Sequence, residues 1–145
     1  MNKDYKQIIK DTRIDHDLKQ SDVATLLGCS KQNYSQIENG KITISIEQLV
    51  KLASHYHVSA NYLLGLSKDK KATSNYKKFN YSNVINRIVL LRKENQLSQE
   101  YIAKEVLNIS QSMYSRIENQ VHHLDVLSLM KLSAFYNVTI GELLK

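Results

Sequence analysis

The feature that most constrains this chain is that it repeats itself. Residues 4–28 align with 83–107, and residues 29–64 align with 109–144. Eighteen of the 61 paired positions are identical, and Asn108 is left over in the second copy. The identities include Arg13/Arg92, Leu18/Leu97, Gln20/Gln99, Ala24/Ala103 and Tyr34/Tyr114, with Ile37-Glu38-Asn39 matched by Ile117-Glu118-Asn119. A chain built this way folds as two copies of one supersecondary unit rather than as one average domain. The division expected is residues 1–66, a linker at 67–80, and residues 81–145. Each copy is near the lower size for independent folding, which leaves open that the copies lean on each other or on a partner.

Composition narrows the class. The chain has no Pro and only four Gly, which disfavours a turn-rich all-β domain and favours helices with short links. A single Cys excludes an internal disulfide framework and a multi-cysteine metal centre. No apolar run approaches the roughly 18 residues of a membrane span, and MNKDYKQ lacks a signal-peptide core. The expectation is a soluble, cytoplasmic, all-α protein. The formal net charge is +6. Residues 1–66 carry 8 basic and 7 acidic side chains, residues 67–80 carry 5 and 1, and residues 81–145 carry 7 and 6. The surplus therefore sits in SKDKKATSNYKKFN, for which a solvated tether and a basic strap along a phosphate backbone are both open.

Apolar periodicity and capping residues give five helices per copy. Helix 1 runs from a capping box of Asp4 with Gln7 to about Asp15. Helix 2 begins near Gln20 with Val23, Ala24 and Leu27 inward, and Gly28 supplies a turn of positive φ. Ser30 caps helix 3. Ser45 with Gln48 boxes helix 4, whose inner face is Leu49, Leu52, Ala53 and Tyr56. Ser59 caps helix 5. In the second copy Ser82 or Asn83 caps the first helix, whose apolar face is Ile85, Ile88, Val89 and Leu91. Ser98 caps the second helix, with Ile102, Ala103 and Val106 inward. Asp125 and Thr139 cap the last two, Thr139 as a box with Glu142.

Helix 3 carries the functional signal. At about 100° per residue, Lys31, Ser35, Gln32 and Gln36 share an arc of about 140°, with Tyr34 and Ile37 on the opposite side. Two bulky anchors thus hold a short helix that turns hydrogen-bonding side chains outward. Gln111, Ser115, Ser112 and Arg116 repeat the arc. Such side chains suit base edges in the major groove. A solvated polar face is the plain alternative. The order helix, tight turn, helix favours recognition.

QSDVATLLGCSKQNYSQIENGK followed by SIEQLVKLASHYHVSANYLLG resembles the Cro/cI-type helix-turn-helix domain (Xre family, lambda-repressor-like fold). The resemblance covers residues 5–66 and returns across 83–144. It implies two tandem five-helix domains that bind double-stranded DNA with helix 3 in the major groove. Carried over by position, Gln20 opens helix 2 near a phosphate. Lys31, Gln32 and Gln36 face bases, Asn33 and Ser35 lie nearby, and Asn39 and Lys41 follow the backbone. Gln99, Gln111, Ser112, Ser115, Arg116 and Asn119 take these places in the second copy. Arg13 with Glu38, and Arg92 with Glu118, resemble the family's structural ion pair and are assigned to scaffold.

The second copy departs twice. Leu107-Asn108 stand where the first copy has Gly28, and Gln120-Val121 replace Gly40-Lys41. Gly40 would let backbone approach a phosphate more closely than Gln120. DNA contact is therefore expected chiefly from the first copy. Two recognition helices on one chain could read unlike half-sites about 34 Å apart, since a linker of this length has a mean reach of roughly 20 Å and more when stretched. A homodimer using the first copy alone, and an intramolecular pseudo-dimer, are the two arrangements considered. No catalytic constellation, cofactor motif, small-molecule ligand or convincing metal set is found. His55, His57, His122 and His123 read as surface or packing residues, and Cys29 as packing. The leading function is a transcriptional repressor. The rival is a protein-interaction module of the same fold, antitoxin-like or regulator-binding, with the second copy used for pairing.

Overall fold

The computed structural model describes residues 4–71 and 76–145. The chain divides into two compact units, Met1–Lys77 and Lys78–Lys145. The first holds α1 (Tyr5–Asp15), α2 (Gln20–Leu27), α3 (Lys31–Glu38), α4 (Ile46–Tyr56) and α5 (Ala60–Leu63). The second holds α6 (Tyr81–Glu94), α7 (Gln99–Tyr101) continuing as a π-helical turn Ile102–Leu107, α8 (Gln111–Glu118), α9 (Val126–Tyr136) and α10 (Ile140–Leu143). A 3₁₀ turn, Tyr76–Lys78, lies at the division. Among the described residues the only extended pairing is an isolated antiparallel bridge between Val58 and Lys71, so the fold is all-α and tandem.

In the first unit Ile9, Val23, Tyr34, Ile37, Ile44, Leu49, Leu52 and Leu63 are wholly buried. In the second, Val84, Ile102, Tyr114, Leu124, Leu129 and Leu132 are. α3 is therefore held by Tyr34 and Ile37, and α8 by Tyr114 and Ile117, as the spacing of those residues requires.

Caps fix most helix starts where the sequence places them. Ser30 Oγ accepts from Asn33 N at 3.0 Å. Ser45 and Gln48 form the reciprocal box at 3.1 and 3.0 Å. Ser98, Asp125 and Thr139 cap their helices through Tyr101, Ser128 and Glu142. Three expectations are corrected. Thr139 Oγ1 accepts from Glu142 N at 3.1 Å, but no return bond makes the pair a box. Asp4 accepts from Lys6 N, while the Gln7 amide reaches forward to Asp11 at 2.8 Å, so Asp4 and Gln7 form no box. α6 starts earlier than Ser82 because Asn80 Oδ1 accepts from Ser82 N at 2.9 Å. Its buried residues are Val84, Ile85 and Ile88, whereas Val89 and Leu91 are half-buried.

The extra residue of the second copy is not where alignment leaves it. Gly28 closes α2 at φ 71, and Asn108 closes the corresponding helix at φ 55 in the same left-handed conformation. Asn108 is thus the counterpart of Gly28. The surplus residue lies inside the helix, as the π turn. Cys29 N donates to Ala24 O at 3.0 Å across five residues, whereas Ile109 N donates to Ala103 O at 2.9 Å across six. Buried Val23, Ala24 and Leu27 correspond to buried Ile102, Ala103 and Leu107, so Leu107, not Val106, completes the inner face. A π turn accommodates one residue without moving either flank out of phase.

The first residues of the basic segment belong to the first unit. Ser59 N donates to Lys70 O at 2.9 Å and Ser59 Oγ to Asp69 O at 3.1 Å, beside the Val58–Lys71 bridge.

Deleting Glu105 should remove the π turn and restore the eight-residue helix of the first unit. The melting temperature followed by circular dichroism is expected to stay within about 4–8 °C of the parent, the shift that accompanies about 1 kcal/mol in a small domain. Deleting Thr25 from α2, which has no residue to spare, should abolish the cooperative transition of the first unit.

Candidate nucleic-acid interface

The interface is built outward from a buried clamp. Arg13 on α1 donates from Nε to Glu38 Oε2 at 2.9 Å and from Nη2 to Oε1 at 3.0 Å. Its Nη1 donates to Leu18 O at 2.9 Å. One guanidinium therefore fastens the end of α3 and the approach to α2 onto α1. The side chains are 12% and 2% exposed. Arg92 repeats the arrangement, with Nε to Glu118 Oε2 at 2.7 Å, Nη2 to Oε1 at 2.9 Å and Nη1 to Leu97 O at 3.0 Å. The fork of Arg suits such bidentate pairing in a way that Lys does not.

Electrostatics agree with this geometry. Hydrogen bonding to Glu38 raises the Arg13 pKa, and bonding to Glu118 raises that of Arg92, both against desolvation. Burial pushes the Glu118 carboxyl up, but hydrogen bonds, led by those from Arg92 and Gln99, hold it below the ordinary carboxylate value. Burial raises the Tyr34 and Tyr114 phenols strongly, and the neighbouring Glu38 and Glu118 charges add to the rise. Burial also pushes Tyr56 and Tyr136 up to about 12. All four phenols stay neutral and serve as packing.

Gln20 and Gln99 turn out to be part of the clamp. The Gln99 amide donates to Glu118 Oε1 at 2.9 Å, and the Gln20 amide approaches Glu38 Oε2 at 3.5 Å. Their identity in the two copies is thus accounted for by a structural partner.

The polar arc lies on the outer side of α3. Lys31, Gln32, Asn39 and Lys41 are exposed, and Asn33, Ser35 and Gln36 are half-buried. Lys41 N and Ile42 N both donate to Gln36 O, at 2.9 and 3.2 Å, so the segment after α3 folds back over its last turn. Gly40 there has φ 79, and a Cβ on it would stand 2.5 Å from Lys6 Nζ and 2.8 Å from Lys6 Cδ. The Lys6 chain crosses Gly40, the residue before Lys41, and its Nζ pairs with Asp4 Oδ2 at 3.2 Å. No local pattern in the sequence marks Lys6, because only the packing of α1 against this segment brings it there.

The second arc is built on the same frame with different chemistry. Gln111, Ser112, Arg116 and Asn119 are exposed and Ser115 is half-buried. Ser112 Oγ shares a hydrogen bond with Ser110 Oγ at 3.2 Å, and Asn119 Nδ2 approaches Ser115 Oγ at 3.5 Å. Val121 replaces Lys41, and buried Ile85 stands at the place of Lys6. Gln120 adopts the left-handed conformation of Gly40, with φ 60. The segment is pinned instead to α6. Ser82 Oγ donates to Gln120 Oε1 at 2.8 Å, Leu124 N donates to the Tyr81 hydroxyl at 2.8 Å, and the Tyr81 and His123 rings stack at 4.1 Å.

Two helices joined by a tight turn, the second outward and polar, recur in both units. The model of the helix-turn-helix family matches residues 9–63 and again residues 88–143. The chain belongs to the Cro/cI-type helix-turn-helix family. Its members are DNA-binding regulatory domains rather than enzymes, and both copies here carry the motif on α2–α3 and on α7–α8 with its π turn. No curated protein and no solved structure matches the chain significantly. Among the described residues no helix is long and apolar enough to cross a membrane, and no group of three or more His, Cys, Asp or Glu could hold a metal ion.

Removing one partner of either clamp strands a buried charge, which typically costs about 3–5 kcal/mol. Arg13→Met and Glu118→Leu should each destabilise their unit by that order in urea unfolding, more than Lys41→Met at the surface. The Glu118 carboxyl is held below its unfolded value, so its stabilising contribution is present above the ordinary carboxylate pKa. It is lost as pH falls through the lowered one. The urea midpoint of the second unit should accordingly drop below about pH 4, and less so in Glu118→Gln.

Proposed function

We propose that the chain is a sequence-specific, double-stranded-DNA-binding transcriptional repressor whose first unit reads the major groove with α3. The observation that carries this is a clamped, outward polar arc on the second helix of the motif, followed at one end by exposed Lys41. In this reading Lys31, Gln32 and Gln36 meet base edges, with Asn33 and Ser35 beside them. Asn39 and Lys41 meet phosphates, joined by Lys6. On the second unit Gln111, Ser112, Ser115, Arg116 and Asn119 would meet DNA more weakly, since the cations at Lys6 and Lys41 have no counterpart there. Repression follows from occupancy, because a unit seated in the groove blocks other proteins at the same sequence. The cytoplasm is the setting that goes with this reading. We assign the basic segment 67–80, whose first residues are bonded to the first unit, to the connection between the two units.

In-vitro selection from random duplexes, followed by a salt titration on the selected site, tests the reading. Affinity should fall with salt at a slope of about −0.9 per phosphate contacted. Lys41→Gln and Lys6→Gln should each flatten that slope by about 1 and weaken all sequences alike, whereas Gln36→Ala should cost about 1–3 kcal/mol and relax one base preference. Absence of binding to any duplex at low salt would overturn the proposal in favour of a protein-interaction module. A reporter driven from the selected site should fall when the protein is expressed, and a rise would replace repression by activation.

A further inference from the structure

The two units offer an internal comparison on one fold, and it is sharpest at the link between the fourth and fifth helices of each. In the first unit the link after α4 carries a docked segment. Ser59 N donates to Lys70 O at 2.9 Å, Ser59 Oγ donates to Asp69 O at 3.1 Å, and Val58 pairs with Lys71 in an antiparallel bridge. The Lys70 ammonium stands 5.5 Å from the centre of the Tyr62 ring. Under this segment Val58 is 7% and Ser59 6% exposed. The link after α9 has the same backbone. His57 and Asn137 both have φ 55. Ser59 lies at φ −73 and ψ 148, and Thr139 at φ −78 and ψ 157. Each hydroxyl accepts from the amide three residues on, from Tyr62 N at 3.0 Å and from Glu142 N at 3.1 Å. Yet Val138 is only half-buried and Thr139 is exposed. Among the described residues no acceptor meets Thr139 N or the Thr139 hydroxyl proton.

We infer that residues 137–139 of the second unit dock an extended, lysine-bearing segment of a partner protein, in the way that the first unit docks its own residues 69–71. Backbone sets the mode. An extended segment brings two consecutive carbonyls to a main-chain N–H and a hydroxyl, the kind of pairing by which peptides add to an exposed edge. A side chain sets the partner. Tyr62, which faces the Lys70 ammonium, follows Ser59 by three residues, and Glu142 follows Thr139 by three. Glu142 is exposed and forms no ion pair among the described residues. The cation that meets a ring face on the first unit thus meets a carboxylate on the second. The occupant is a separate protein rather than a second copy. The chain's own segment is already held by Ser59 of its own unit, where its effective concentration is far higher. The contact is small, below the roughly 1,200 Å² of lasting complexes, so the affinity is on the order of 1 mM.

Titration of the nitrogen-15-labelled full chain with an end-blocked peptide of residues 66–71, LSKDKK, puts this to the test, since the first unit shows that sequence on the same edge. In amide spectra Thr139 N–H should shift and saturate with a midpoint of about 1 mM. Ser59 N–H, bonded within its own unit, should stay in place. A peptide with Lys70→Glu should bind about threefold more weakly, the size of an exposed ion pair. Glu142→Gln in the protein should bring the two peptides to equal affinity. Glu142→Tyr, which installs the residue of the first unit at an exposed place, should still prefer the lysine peptide. A Thr139 amide unmoved at about 10 mM peptide, tenfold above the expected midpoint, overturns the inference, as does equal binding of the two peptides by the parent. A preference that survives Glu142→Gln overturns the role of Glu142. Ser59 shifting as Thr139 does would mean exchange with the docked segment and overturn the choice of the second unit. A Thr139 amide that moves with protein concentration alone would give the edge to a second copy and overturn the choice of partner.

Discussion

The interaction on which the rest depends is the guanidinium–carboxylate clamp, made twice. Each Arg is shared among three elements: its own helix, the carbonyl that precedes the second helix, and the Glu at the end of the third. A unit this small has little apolar surface with which to fix helix angles. A bidentate, largely desolvated ion pair supplies direction that hydrophobic contact lacks. Gln20 and Gln99 add a further donor to the carboxylate, so the start of the second helix is referenced to the end of the third. The neutral phenols of Tyr34 and Tyr114 pack beside the same carboxylates. The outward arc is then free to vary, because nothing on it holds the fold.

That separation accounts for how the two copies have diverged. The clamp, the phenols and the inner faces coincide, while the outer residues change chemistry from polar to apolar or from Lys to Val. In the first unit the Lys6 chain crosses Gly40 after α3, just before exposed Lys41. The second binds the same segment down with Tyr81 and Ser82. A frame fixed from within permits the outside to take separate employment.

Much of this is legible in the residues. The repeat gives the number of units, the period of 3.6 gives the inner faces, and Ser30, Ser45, Ser98 and Asp125 announce their helices because a short hydroxyl or carboxylate satisfies free amides at a fixed offset. The wheel of α3 separates Tyr34 and Ile37 from the polar arc for the same reason. What fails does so where two local solutions compete. Ser82 and Asn83 suit a cap, yet Asn80, just before them, takes the place by accepting from Ser82 N. Gln7 could accept from the Asp4 backbone N–H, but its amide instead donates to Asp11. Lys6 and the inward turn of Gln20 and Gln99 depend on contacts between elements, which no local pattern encodes.

The π turn has a consequence for how sequences of this fold are compared. It is a phase reset: before it the two copies run 79 residues apart, and after it 80. A template of fixed spacing laid from Gln99 would slide every assignment on α8 by one place, a rotation of about 100°. Arg116 would be read as the buried anchor and Ile117 as the ion-pairing acid. One residue hidden within a helix would thus exchange the outward polar side of α8 for the side that holds the fold. Alignment in this fold is safest when anchored at the left-handed residue that closes the second helix.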